Sequence, residues 1–395
     1  MNEMSFLTED HLRFRDNLRR FIDTEVVPKA DAWEETGMVP REVLRQLGEL
    51  GYLGIRYPAT YGGAELDTVY SAILAEELGR SSYGGFAVTV LVHTDMASPH
   101  LGNFGSPEQL ARWMPGIIAG TTICAVAVTE PDAGSDVAGI KTRAVRDGDH
   151  YVLTGSKMFI TNGVHGDLYF VAAKTDTTVK GSRGISIFAV EKGTPGFEIG
   201  HPGPKMGGRG VAEVELFFDH CRVPVENLIM AGDPNSTRSF KRLMSSFGPE
   251  RVGNAAMCLG VAQGAYELAR SYSLERKQFG KPICEFQGIQ WKVADMATQI
   301  HAARLMIYRA ATNLVDGFPD PLEAAYAKLY ANEMVQRVTN EALQIHGHYG
   351  FTREFPLERM VRDSRGFSLG GGTTEILRNT IAAIVYGRAF DQRKG

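Results

Sequence analysis

The sequence predicts an α+β protein of three units: helical, then antiparallel β, then helical again. Three observations carry that expectation. Apolar residues recur at three- and four-residue steps over the first part of the chain. From Thr121 to about Pro234, short β-rich runs alternate with turn signals. From about Ser239 onward the helical pattern returns in longer segments. A length of 395 residues is large for one core and agrees with several packed units. The boundaries drawn from the change of texture are 1–122, 123–234 and 235–395.

In the first unit Phe14, Leu18, Phe21, Ile22 and Val26 form one apolar helical stripe. "PREVLRQLGELGYLGI" opens with Pro40 at a helix start and places Gly51 where a helix would stop. In "SPEQLARWMPGIIAG", Ser106 followed by Gln109 makes a capping-box pattern that starts another helix. In the second unit Asp147-Gly148 separates two strand-like runs, a hairpin signal. Val214, Leu216 and Phe218 alternate in "EVELFFDHCRVP", as on the buried face of a strand, and "GISIFAVEKGTPGFEIG" has the same character. "AGDPNSTRSF" reads as a turn-rich link. Beyond it, "AAMCLGVAQGAYELARSYSLERKQFG", "FQGIQWKVADMATQIHAARLMIYRAATNLVDG" and "PLEAAYAKLYANEMVQRVTNEALQIHG" have the length of bundle helices.

The composition is ordinary, 44% hydrophobic and 22% charged, with a net charge of −4. There is no basic excess for nucleic acid and no apolar run long enough for a membrane span, so neither partner is expected. The acidic, polar opening "MNEMSFLTEDHLRFRD" does not read as a signal or transit peptide. Cys124, Cys221, Cys258 and Cys284 are scattered without a C-x-x-C pair. They read as buried apolar residues of a cytoplasmic protein, with no metal site.

A few short segments carry the candidate chemistry. "CAVAVTEPDAGSD" leaves an apolar strand for a loop of small polar residues. There Thr129 and Ser135 expose hydroxyls, and Ala133-Gly134-Ser135 lets a ligand approach the backbone. In "LTGSKMFITNG", Phe159 and Thr161 stand two apart in a strand and so share a face. An aromatic beside a hydroxyl suits a flat heteroaromatic ring with polar edges, such as a flavin. "RKQFGKP" ends a long helix with basic residues around a Phe-Gly stop, favourable against the helix dipole in any case. In "GGGTTEILRN", glycines followed by threonine at a helix start free backbone N–H groups for phosphate or carbonyl oxygens. The absence of G-K-[ST] excludes a P-loop. Each segment alone reads more readily as a packed strand, a turn or a helix end.

Taken together and in this order, "VTEPDAGSD", "KMFITNG", "ERKQFGKPI", "FQGIQW", "QIHGHYGF" and "GGGTTEILRN" resemble the acyl-CoA dehydrogenase family from about residue 7 to 390. His348 departs from the pattern, which more commonly has a small residue there. The resemblance implies an N-terminal helical domain, a central β domain and a C-terminal four-helix bundle, with FAD between the last two. It implies that Val128, Thr129 and Ser135 contact the flavin, with Ser135 also near the acyl-CoA. Phe159 would stack on the ring and Thr161 would bond near its reactive nitrogen. A neighbouring subunit would supply Arg276, Phe279, Gln287, Gln344 and Gly347 around the ADP half. Thr373 and Glu375 would belong to a terminal loop beside the cofactor. Because such a site is shared, a homo-oligomer is expected, more often a tetramer than a dimer, with an electron-transfer flavoprotein as acceptor.

The implied reaction is α,β-dehydrogenation of an acyl-CoA thioester. A base removes the α-proton while the β-hydrogen leaves as hydride to flavin N5. The base is a carboxylate in a dry pocket. In many members it is a Glu just before the Gly-Thr of the terminal motif, where this chain has Gly371. In branched- and long-chain-acting members it comes instead from a Glu-Arg pair opening the C-terminal domain, matched by Glu250 and Arg251 in "SSFGPERVGNAAMCLG". Glu250 borders the apolar face of Val252, Ala255, Ala256 and Leu259. Without the resemblance it would read as a first-turn helix acid after Pro249. Arg251, Ser135 and Gly371 are expected at the substrate, and the missing side chain at Gly371 is expected to widen the pocket for a branched or cyclic acyl group. Asp95, in the apolar run "VTVLVHTDMASPHLGNFG", is an alternative or auxiliary base. Its ordinary reading is a partner of His93 or His100, or a helix cap. Competing readings are 1,4-elimination on a cyclic enoyl-CoA, an acyl-CoA desulfinase, a carrier-protein-linked acyl dehydrogenase, and a scaffold without catalysis.

Overall fold

The computed structural model describes residues 7–179 and 181–390, apart from the side chains of Arg238 and Ser239. Residues 1–6 of the polar opening stretch lie outside the described residues. The N-terminal stripe forms α1 (Glu9–Phe21) and α2 (Val27–Thr36), joined by a π-helical turn over Ile22–Val26. Leu18, Ile22 and Val26 are fully buried at four-residue spacing. α3 (Arg41–Glu49) stops where Gly51 takes a φ of 82°, and Tyr52 N–H closes the helix end on Leu47 O at 2.9 Å. α4 (Thr68–Arg80) is capped by Asp67. Then come α5 (Gly84–Leu91), a second π-helical turn over Val92–Ala97, and α6 (Ser98–Phe104). α7 (Pro107–Ile118) has the expected capping box: Gln109 N–H donates to Ser106 Oγ at 3.2 Å, and Ser106 N–H to Gln109 Oε1 at 2.8 Å.

Both π turns end just ahead of a proline, Pro28 and Pro99. A proline ring collides with the carbonyl four residues back and offers it no N–H. For Pro99 that carbonyl belongs to Asp95. The widened turn, in which Ser98 N–H reaches back to His93 O, lets the helix run past the proline and re-aims the side chains within it.

The middle unit is one eight-stranded sheet. Its strands are β1 (Cys124–Ala127), β2 (Arg143–Asp147), β3 (His150–Thr161), β4 (Leu168–Lys174), β5 (Ile185–Glu191), β6 (Phe197–Ile199), β7 (Glu213–Pro224) and β8 (Leu228–Met230). The order is β6-β7-β3-β2-β4-β5-β8, with β1 beside β4. Most pairings are antiparallel as expected, but β1 and β2 run parallel to β4, so the sheet is mixed. The Asp147-Gly148 signal is a hairpin: Asp147 pairs with His150, and Gly148, at φ 61°, is the first loop residue. Val214, Leu216 and Phe218 face the core, and then the alternation slips. His220 takes a φ of 49° and Cys221 and Val223 carry the buried face onward. This bulge lies opposite the register break between Leu153 and Gly155.

The C-terminal unit begins with α8 (Arg238–Ser245) and α9 (Gly248–Glu275). A hairpin of β9 (Lys277–Gln278) and β10 (Lys281–Pro282) leads to α10 (Gln287–Thr312). A second small hairpin, β11 (Leu314–Val315) and β12 (Phe318–Pro319), leads to α11 (Pro321–His346). α12 (His348–Phe351), α13 (Leu357–Phe367) and α14 (Thr374–Val385) complete the chain. Phe279-Gly280 is a hairpin turn rather than a helix stop; both residues have positive φ, 50° and 82°, and α9 has already ended.

α9, α10 and α11 pack on one another, with α13 and α14 against α11. α4 also lies along α9, so the two helical units share one apolar core that includes Ile73, Leu78, Ala256, Leu259, Ala331 and Met334. The sheet has a core on each face, one of them shared with α6 and α7. Asp363 of α13 ties the three units together, accepting the Gly84 N–H at 3.1 Å and the Gly208 N–H at 2.7 Å. Cys124, Cys221 and Cys258 are buried and no cysteine is paired among the described residues. Among those residues, too, no helix is long and apolar enough to cross a membrane, and no cluster of ligating side chains could hold a metal.

Candidate active site

Pro249 opens α9 and puts Glu250 in its first turn, where a carboxylate suits the helix dipole. Glu250 is nevertheless a core residue, 5% exposed. Its partner is Lys328 of α11, whose Nζ lies 2.8 Å from Oε1 and 3.2 Å from Oε2. The same ammonium donates to Gly370 O at 2.9 Å and to Gly371 O at 3.0 Å. Two helices and the terminal loop thus meet at one buried ion pair. Gly371 lies directly against the carboxylate: a Cβ built there would be 2.1 Å from Glu250 Oε1. The missing side chain therefore does not widen the pocket, contrary to the sequence expectation, because Glu250 fills that space. Burial pushes the Glu250 carboxyl above the usual carboxylate range, and the charges of Lys328 and Arg251 hold it partly back. Arg251 is half-buried, with its Nε enclosed and without a hydrogen-bond partner. Lys328 gives no signal in the sequence; it is one lysine in a long helix, 78 positions from the acid it binds.

Asp95 lies on the second π turn and is 4% exposed. It pairs with neither His93 nor His100. Arg56 Nη2 stands 3.5 Å from Asp95 Oδ1. His93 instead bridges Ile117 O and Cys124 N–H, and His100 meets Met96 O. The other oxygen of Asp95 touches α9 one turn beyond Glu250, since a Cβ on Gly253 would come within 2.3 Å of Oδ2. Burial pushes the Asp95 carboxyl up to about 6, against the pull of Arg56 and with the Glu250 charge adding to the rise. Two buried carboxylates flank the start of α9.

The two segments read for flavin chemistry are clipped together. Met158 N–H donates to Thr129 O at 2.9 Å. The buried Lys157 ammonium reaches Glu130 Oε1 at 2.8 Å and Val128 O at 3.0 Å. Glu130 also accepts the backbone N–H groups of Lys141 at 2.6 Å and Thr142 at 3.0 Å. Glu130 and Lys157 carry no signal in the sequence, because an opposite-charge pair between two segments has no periodic signature. Burial draws the Lys157 ammonium down to about 8. Just past the clip β3 slips its register against β7 between Lys157 and Ile160, and Phe159 takes a φ of 58°. The Phe159 ring is 68% exposed while Ile160 is buried. Thr161 is half-buried, its hydroxyl 3.4 Å from Glu213 Oε1. Phe159 and Thr161 do face away from the core together, through a strained bulge rather than a flat pleat. Val128 and Thr129 are half-buried and Ser135 is exposed.

Arg276, Phe279, Gln287, Gln344 and Gly347 gather at one end of the bundle, where α9 ends, α10 begins and α11 ends. All five are exposed, Phe279 by 93% at the hairpin tip. The Arg276 guanidinium stands 6.0 Å from the Tyr349 ring. In the terminal loop, Thr373 Oγ1 caps α14 by accepting Ile376 N–H at 3.3 Å, and Glu375 is exposed in the first turn.

The outward Phe159 ring and the threonine and serine hydroxyls of the two flavin-read segments suit a flat, polar-edged ring, and the exposed amide and guanidinium donors at the far end of the bundle suit an anionic tail. Sequence models of the acyl-CoA dehydrogenase N-terminal, middle and C-terminal domains match residues 8–121, 125–221 and 238–386, in that order. The chain belongs to the acyl-CoA dehydrogenase family. It is similar to the cyclohex-1-ene-1-carbonyl-CoA dehydrogenase of Geobacter metallireducens, 40% identical over 98% of this chain and 99% of that one. It is 37% identical, over 96% of this chain and 99% of the relative, to the CarC subunit of the caffeyl-CoA reductase-Etf complex of Acetobacterium woodii. The crystal structure of a glutaryl-CoA dehydrogenase from Mycobacterium smegmatis in complex with FADH2 superposes with a TM-score of 0.91 at 29% identity, over 98% of this chain and 97% of that one. This acyl-CoA dehydrogenase is therefore an FAD-dependent oxidoreductase acting on the CH–CH bond of an acyl-CoA thioester.

Proposed function

We propose that Glu250 is the base that takes the α-proton in this desaturation, with Arg251, Ser135 and the backbone at Gly371 lining the substrate. The observation that supports it most is the place of the carboxylate, buried and filling the space a side chain at Gly371 would need. A different element thus delivers a carboxylate to the point where the terminal loop has none. Burial strips the anion of water and makes it a stronger proton acceptor than an exposed carboxylate. Lys328 lies closer to Oε1, which leaves Oε2 the freer atom for the proton. We assign the negative charge that develops on the thioester oxygen to a backbone N–H of the terminal loop.

FAD, when bound, supplies the acceptor for the β-hydride. Val128, Thr129, Ser135, Phe159 and Thr161, with Thr373 and Glu375 of the loop, would hold its ring side. Arg276, Phe279, Gln287, Gln344 and Gly347 would hold the ADP half of a cofactor bound to a second copy. We read the protein as a cytoplasmic homotetramer with domains at 1–122, 123–234 and 235–395. The exposed Phe279, Trp291 and Phe351 support association. An electron-transfer flavoprotein is the acceptor we propose, supported by the relative found in an Etf complex. Of the branched or cyclic substrates expected, the relative named for a cyclic acyl group supports a cyclic one. An anaerobic screen of acyl-CoA thioesters, scored by flavin bleaching and product mass, identifies it. Glu250→Gln should slow that bleaching about a hundredfold or more while FAD stays bound. Unaltered bleaching would remove Glu250 from the reaction.

A further inference from the structure

We infer that Lys328 is a positioning residue: it clamps the Glu250 carboxylate against the Gly370-Gly371 turn and keeps it ionised. This rests on the reading of Glu250 as the base. The geometry is unusually complete for a side chain with 0% exposure. One ammonium touches both carboxylate oxygens and two successive carbonyls of the terminal loop, at 2.8 to 3.2 Å. A buried ion pair is weak ground for stability, because desolvating two charges offsets their attraction. Fixing one arrangement is the better-supported use. Here that arrangement includes Gly371, the residue whose lack of a Cβ admits the carboxylate. The terminal loop contributes no base, yet through Lys328 it sets where the base stands.

The clamp also governs protonation. The titratable and charged groups around Glu250 are Lys328 on α11, Arg251 and Cys258 on α9, and Asp95 on the π turn, itself facing Arg56. Cys258 is buried and neutral, its thiol pushed above its ordinary range by burial. Burial opposes ionisation of Glu250, and Lys328 and Arg251 favour it; the Glu250 charge in turn raises Asp95. Arg251 has no hydrogen bond to the carboxylate, so Lys328 is the cation in direct contact. Removing it leaves a buried carboxylate that holds its proton to higher pH.

The test compares flavin-loaded parent, Lys328→Met and Lys328→Arg, using the acyl-CoA that bleaches the flavin fastest. Lys328→Met should move the acid limb of the kcat/KM pH profile upward by about one unit or more, a tenfold loss or more at pH 6. At pH 9, where the base is ionised without help, the loss should be smaller than at pH 6, and what remains reads the lost placement of the carboxylate. Lys328→Arg keeps the charge and should keep the limb near its parent position. An acid limb left at its parent position, whatever the height of the profile, would overturn the proposal and leave Lys328 a packing residue. Infrared titration of the Glu250 carboxyl, taken as a difference against Glu250→Gln, reads the same shift without turnover. If Glu250→Gln retains full bleaching, the base assignment fails, and this titration alone decides whether Lys328 sets the protonation of Glu250. Should Lys328→Met not fold, Lys328→Gln provides the second variant. It keeps a hydrogen-bond donor without the charge, and an unmoved limb there would equally overturn the proposal.

Discussion

Asp95 is a carboxylate that the fold keeps at the expense of stability. Its carboxyl is pushed from 3.8 up to about 6 by burial, which outweighs Arg56 at 3.5 Å. Between those values the folded chain holds a proton that the unfolded chain has released. Stability therefore falls as pH rises through that window, and at neutral pH the ionised form costs about 3 kcal/mol. Asp95→Asn should raise the unfolding free energy at pH 7.5 by about 1–3 kcal/mol, with the gain fading below pH 4. Thermal melts at the two pH values check it; a loss at pH 7.5 would mean that the ion pair with Arg56 outweighs the desolvation. The turnover of the same variant decides a separate question. Equal kcat in mutant and parent would dismiss Asp95 as a second proton site, while Glu250, one turn of α9 from the Gly253 that Asp95 touches, would keep its proposed role.

The π turn over Val92–Ala97 shows how an element sets up such a site. Pro99 forces the wide turn, and the turn places both Asp95 and His93 inside the protein. His93 must be neutral there, because Nδ1 accepts the Cys124 N–H at 3.1 Å while Nε2 donates to Ile117 O at 2.9 Å. Burial holds its imidazole down to about 4, below the ordinary 6.5. Over that window the unfolded chain binds the proton first, so stability is lost as pH falls. At pH 5 the loss from this residue is about 2 kcal/mol. His93→Gln offers a donor and an acceptor without titrating, so its denaturant midpoint should drop less than the parent's between pH 7 and pH 5. An equal drop would place the acid sensitivity elsewhere. The capping box at Ser106, the Asp147-Gly148 hairpin and the long helices were legible in the sequence, because each is written in neighbouring residues. The bulge at His220, the parallel partners of β4 and the π turns were not, since they depend on strands and carbonyls brought together by the fold. The site divides in the same way. Glu250 and Phe159 stand in local motifs, whereas Lys328, Arg56 and the Glu130–Lys157 clip act across long separations on residues with no periodic mark.

At the scale of the whole molecule, α9 separates the two halves of the proposed cofactor site. Glu250 lies in its first turn and Arg276 just past its end, and 28 residues of helix span roughly 40 Å. The terminal loop, which meets Glu250 through Lys328, stands at the first end. The Phe279 hairpin, Gln287, Gln344 and Gly347 stand at the other. In the proposed site, a cofactor lying beside Glu250 would be out of reach of Arg276 of the same chain. A second copy running the opposite way would bring its own Arg276 there, and the Phe279 ring, 93% exposed, would give that copy an apolar contact to cover. FAD retention should then depend on association. On serial dilution, flavin release should track the loss of the oligomer measured by light scattering. Arg276→Ala removes a charge-assisted donor worth about 1.5–3 kcal/mol, a tenfold or greater loss of FAD affinity. After gel filtration the variant should emerge at the parent's size with a lower ratio of flavin to protein absorbance. Full occupancy in Arg276→Ala, or a monomer that keeps its flavin on dilution, would place the whole cofactor site within one chain.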